Sequence, residues 1–117
     1  MKFIVFGHAT KDTEAGVLPT NDEFVKMGEF IGELVKAGVF IAGEGLQRSA
    51  KGARITFGKG GKPTIKNGPF TESKELIAGF SILNLPSREA ALAWADRYAA
   101  ILAGNEVDVH ELAESKS

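Results

Sequence analysis

The stretch TNDEFVKMGEFIGELVKAGVFIAGEGL, residues 20–46, decides the fold, because it runs a capped amphipathic helix straight into a strand. Thr20 stands before the apolar periodicity and Glu23 follows three residues later, the reciprocal pair of a capping box. Phe24, Met27, Gly28, Ile31, Leu34 and Val35 recur at i, i+3, i+4 and i+7, so one face of the helix is apolar. Lys36 falls in the last turn and Gly38 suits the position just past the helix end. Gly28 and Gly32 each cost about 1 kcal/mol relative to Ala. Such a cost implies close approach to a strand or a partner. Beyond Gly38, VFIAGEGL (39–46) reads as a strand that ends in a glycine-flanked acid.

The same grammar extends both ways along the chain. KFIVFGHA (2–9) is a β-branched and aromatic run of buried-strand character, followed by a loop over 11–19. ARITF (53–57) and PTIK (63–66), joined through Gly-Lys-Gly-Gly, predict a hairpin. AGFSILNL (78–85) is a further strand. Ser87 caps a second helix in which Ala91, Trp94, Ala95, Tyr98 and Leu102 share a core-facing stripe. Gly104-Asn105 ends that helix, and EVDVHEL (106–112) alternates as a last strand. The pattern is one domain over 1–112 with a polar tail at 113–117. Its order, β-α-β, a hairpin, then β-α-β, predicts an α+β ferredoxin-like plan with both helices on one face of a four-stranded antiparallel sheet. The segments FIVF, VFIA and FSIL are apolar on both faces, yet two helices cover only one. A homodimer with the sheets facing each other is the expected remedy.

Composition narrows the function classes. The 117 residues are 44% hydrophobic and 25% charged, enough for one core. Fourteen basic against fifteen acidic residues, with no basic stripe, give no electrostatic case for nucleic acid or an anionic membrane. There is no cysteine, which excludes disulfide scaffolds, thiolate metal sites and thiol nucleophiles and fits a reducing compartment. The N-terminus lacks the long apolar region of a signal peptide, and no run reaches a membrane-spanning length. The expected setting is the cytoplasm.

The candidate chemistry centres on a long connection, residues 67–75. Asn67 and Gly68 tolerate positive φ, Pro69 fixes the next φ, and together they make a stiff corner that aims Phe70. Phe70 reads either as a core plug or as the wall of a pocket. Glu72 and Lys74 read either as an acid–base pair or as a solvated face. Glu44, between two glycines at a strand end, is a candidate general base or an exposed turn residue. His8, at the end of the first strand, is a candidate acid–base group or a structural histidine. The catalytic candidates are therefore His8, Glu44, Glu72 and Lys74, and the ligand-binding candidates are Asn67, Gly68, Pro69 and Phe70. His110 is a weaker candidate. No ligand spacing for a metal occurs, GKGGKPT (58–64) lacks phosphate-loop spacing, and no cofactor is expected.

LVKAGVFIAGEGLQ (34–47) followed by NGPFTESKELIAGF (67–80) resembles the DGPF-domain proteins of bacteria, which group with the YCII-related family. The resemblance spans residues 1–112, with Asn67 where the family signature has aspartate. It implies ferredoxin-like protomers assembled as a dimeric α/β-barrel. It also implies kinship with small dehydrochlorinase-type lyases that use a histidine–aspartate pair in a cleft. The motif positions differ here: PTNDEFVKMGEF has no histidine, and WADRYAA offers Asp96 without a following proline. The expected function is binding or transformation of a small aromatic or phenolic molecule in a dimer-associated cleft. The alternative is a non-catalytic regulatory or protein-interaction module linked to sigma-factor-dependent transcription.

Overall fold

The computed structural model describes residues 1–71, 76–102 and 106–113. Strand β1 (Lys2–His8) leads through a single helical turn, α1 (Lys11–Glu14), into helix α2 (Asn21–Lys36). Strand β2 (Phe40–Gly45) follows, then a 3-10 turn at Ser49–Lys51, strands β3 (Ala53–Phe57) and β4 (Pro63–Asn67), and strand β5 (Ile77–Asn84). Helix α3 (Arg88–Ile101) and strand β6 (Val107–Glu111) are the last of the described elements. Four strands form one antiparallel sheet in the order β2-β5-β1-β6, while β3 and β4 form a separate two-stranded sheet. The α+β architecture is compatible with a ferredoxin-like fold.

Local chemistry accounts for most of the boundaries. Both halves of the Thr20–Glu23 capping box form, and Ser87 caps α3 by accepting from the Ala90 N–H. Gly38, at φ +75°, occupies the left-handed conformation that closes α2. The segment over 11–19 departs from the expected loop. Thr10 and Thr13 form their own capping box around α1, and a four-residue helix carries no periodicity to read.

The core lies between the sheet and α2 and α3. Phe3, Val5, Leu83 and Leu85 meet Phe30 and Leu34 from α2 and Ala91, Ala95 and Tyr98 from α3. The core-facing side of α2 is thus built on Phe30 and Leu34, with Met27 packed beside them, rather than on Phe24 and Val35, which are 70% and 58% exposed. Two apolar stripes run side by side along this helix, and the sheet selects the one carrying Phe30. Gly28 and Gly32 lie on the outer side, where an added Cβ would meet nothing within 4 Å. Among the described residues the close approach expected for them does not occur. Gly7 and Gly79 do make one: they face each other across β1 and β5, and the Tyr98 ring packs over both.

Candidate functional site

Strand pairing sorts the sheet into two faces. Phe3, Val5 and their neighbours point at the helices, so Ile4, Phe6 and His8 point away. Register places Phe80 opposite Phe6 and Ile82 opposite Ile4. It places Asp108 beside Phe6 and His110 beside Ile4. Glu44 and Ala42 lie opposite Phe80 and Ile82. A row Glu44–Phe80–Phe6–Asp108 therefore crosses the face that, among the described residues, carries no helix. Phe6 stacks on His110 with ring centroids 5.5 Å apart and planes within 4°. Its centroid is 6.1 Å from that of His8.

His8 closes one end of this aromatic face. The register shifts between Gly7 and His8, so that His8 pairs with Ile77, an irregularity that re-aims a side chain at a strand end. His8 Nε2 lies 2.9 Å from Asp108 Oδ2, joining the ends of β1 and β6. The His8 side chain is only 19% exposed and the Asp108 side chain 43%. A carboxylate against one ring nitrogen orients the imidazole, a group suited to proton transfer. Glu44 is exposed and stands three strands from Asp108, roughly 14 Å at sheet spacing, so it is not part of this pair.

At the same end of the sheet a cleft of about 310 Å³ opens among Glu14, Leu46, Gln47, Ser49, Phe70, Leu76 and Ile77. That volume is near the lower limit for small-molecule sites. Its polar wall is a relay of hydrogen bonds. The Ser49 N–H donates to Glu14 Oε2 at 2.8 Å and the Ser49 hydroxyl donates to Glu14 Oε1. The Phe70 N–H in turn donates to Ser49 Oγ at 2.9 Å. The Arg54 guanidinium lies over the Phe70 ring, 4.3 Å from its centroid.

The Asn67–Phe70 corner is held in a different way from that expected. Neither Asn67 nor Gly68 has positive φ. Gly68 is needed for approach: an added Cβ would sit 1.7 Å from the Ser49 carbonyl oxygen. The Gly68 N–H donates to Gly52 O at 2.9 Å, and the Gly68–Pro69 bond is cis. Phe70 lies outside the core cluster and walls the cleft. The expected acid–base residues Glu72 and Lys74 lie outside the described residues. Among the described residues no group of three or more His, Cys, Asp and Glu side chains is gathered as a metal would require, and no helix is long and apolar enough to cross a membrane.

Glu14, Ser49 and Asp108 were not among the residues singled out by sequence. Asp108 had a readable signal: in an alternating last strand beside β1, it shares a face with Phe6 and His8. Glu14 and Ser49 are 35 residues apart and meet only through the tertiary fold.

A model of the YCII-related domain matches residues 1–113. The chain belongs to the YCII-related family. Among solved structures it is similar to the 5-chloro-2-hydroxyhydroquinone dehydrochlorinase TftG from Burkholderia phenoliruptrix AC1100, in complex with 2,5-dihydroxybenzoquinone. The superposition has a TM-score of 0.55 at 12% identity and covers 98% of this chain and 96% of that one, a likeness of fold. No curated protein matches the chain.

Proposed function

We propose that this YCII-related chain binds, and exchanges a proton with, a small aromatic or phenolic molecule at the His8 end of its open sheet face. The observation that carries this reading is the His8–Asp108 pair, set beside stacked Phe6 and His110 and next to the Phe70 cleft. An aromatic ring finds apolar walls there, and the imidazole can take a proton from a phenolic hydroxyl while Asp108 stabilises the charge that results. The fold neighbour's complex with a dihydroxybenzoquinone supports this ligand class.

A second copy of the chain completes the site. Ile4, Phe6, Phe80 and Ile82 form an apolar strip on a face that no described helix covers, and pairing two such faces removes both from water. The His8–Asp108 pair then opens into a cleft between the copies, where a proton transfer is shielded from bulk solvent. Asn67, Gly68 and Pro69 belong to this site as the corner that holds Phe70, while Glu44 contributes charge at the far rim.

Calorimetric titration with a panel of phenols, hydroquinones and benzoic acids tests this reading. At least one phenol is expected to bind, and His8→Ala and Asp108→Asn each to weaken it by about tenfold or more. If no member of the panel binds, or if His8→Ala binds as the wild type does, the reading is wrong.

A further inference from the structure

The hairpin β3–β4 touches the cleft through Arg54, which lies over the Phe70 ring, and its strands are otherwise open to solvent. All five residues of each strand are exposed, including Ile55 at 59%, Phe57 at 70% and Ile65 at 65%. A lone two-stranded hairpin is marginal in water at best, and this one is built to be covered. Its register sets Ile55 opposite Ile65 and Phe57 opposite Pro63, so one face is apolar. On the other face Arg54 and Lys66 are directly opposed, a like-charge pairing that disfavours an isolated hairpin. The radius of gyration, 16.2 Å, exceeds the roughly 13 Å expected for a compact chain of this length.

Charge indicates what covers it. Residues 51–66 contain five of the fourteen basic residues and none of the fifteen acidic ones. The rest of the chain is correspondingly acidic, with nine basic against fifteen acidic residues. It also carries a matching surface: Val17, Leu18, Phe24 and Val25 are 57%, 83%, 70% and 47% exposed, beside Asp22 and Glu23 in the first turn of α2. Nucleic acid would satisfy the lysines but leave Ile55, Phe57 and Ile65 without an apolar contact. A second copy of this chain satisfies both.

We infer that the β3–β4 hairpin is an exchanged arm: each copy lays its apolar face and the tip lysines Lys59 and Lys62 on the acidic, apolar patch around Phe24 of the other. This rests on the two-copy reading above and adds a second, reciprocal contact outside the facing sheets. Exchange is isologous, so one arm contact is made twice per dimer.

Sedimentation equilibrium of the full chain tests it, with far-UV circular dichroism confirming that each variant is folded. The wild type is expected to dimerise, and the double variant Ile55→Lys/Phe57→Lys to raise the dimer dissociation constant by about 100-fold or more. Lys59→Glu/Lys62→Glu is expected to raise it by about tenfold, with a shallower dependence on salt. Carbodiimide coupling of mixed isotope-labelled and unlabelled chains should join Lys59 or Lys62 to Asp22 or Glu23 between chains. Hairpin variants with the wild-type dissociation constant, or such links only within one chain, overturn the arm but leave the facing-sheet dimer standing. A wild type that is monomeric overturns both. A monomer that binds duplex DNA through Lys59 and Lys62 overturns the arm in favour of nucleic acid.

Discussion

The two sheets of this chain solve the same problem to different degrees. The four-stranded sheet alternates buried and half-buried residues along β1 and β5 and sets one face against two helices. The two-stranded sheet alternates apolar and polar residues in its sequence, and among the described residues it has no such cover. Strand patterning alone therefore does not produce a core. What distinguishes the first sheet is that the helices carrying its complement, Phe30, Leu34 and Ala95, are the segments directly adjoining its strands. Among the described residues no α-helix adjoins the hairpin, and the exchanged arm proposed above takes its complement from a second copy.

The largest expected effect follows from this contrast. Leu34 is fully buried and Ile55 is 59% exposed. Leu34→Ala is expected to destabilise the fold by about 3 kcal/mol, the transfer loss plus the cavity left behind. Ile55→Ala is expected to change the unfolding free energy of dilute monomer by no more than about 0.5 kcal/mol. Urea denaturation of both variants at low concentration makes the comparison, and equal losses would mean that the hairpin is part of the folding core.

A smaller effect sharpens the comparison at the joint between the two sheets. The corner after β4 passes so close to the 3-10 turn that Gly68 tolerates no Cβ, whereas Gly58, at the hairpin tip, has nothing within 4 Å of that position. Gly68→Ala is expected to cost about 1–3 kcal/mol, because the obstacle is the Ser49 backbone and not a side chain that can swing away. It also displaces Phe70 from Ser49 and so reshapes the cleft. Gly58→Ala is expected to be nearly silent in thermal unfolding. A silent Gly68→Ala would show that the corner is not pinned at Ser49.

Much of this was legible in the sequence, and the omissions have a common cause. Thr20, Glu23, Gly38 and Ser87 act on backbone groups within a few residues, so their roles follow from spacing alone. The strand order β2-β5-β1-β6 places residues from opposite ends of the chain together, and His8 meets Asp108 across 100 positions. That pairing follows only once β6 is set beside β1. The choice of Phe30 over Phe24 depends on how α2 is rotated against the sheet, since both residues satisfy a helical period. Glu14 and Ser49 meet because α1 and the 3-10 turn converge on the Asn67–Phe70 corner, and nothing local in either segment announces it.

The smallest effect belongs to the point where α3 packs on the larger sheet. Tyr98 lies over Gly7 and Gly79, and burial of its hydroxyl raises its pKa above the ordinary 10.0. The unfolded chain loses this proton at lower pH than the folded one, so the folded state binds more protons in that range. Stability is therefore unaffected by Tyr98 at neutral pH and falls as pH rises through 10.0 toward the higher folded value. Lysines titrate in the same range, so the informative quantity is the difference between the wild type and Tyr98→Phe, in which this part of the alkaline slope should vanish. Because the chain has one tyrosine, tyrosinate absorbance reports Tyr98 alone. Its midpoint should lie above that of the urea-unfolded chain. Coincident midpoints would mean that the ring is open to solvent and that the Gly7–Gly79 saddle does not hold it.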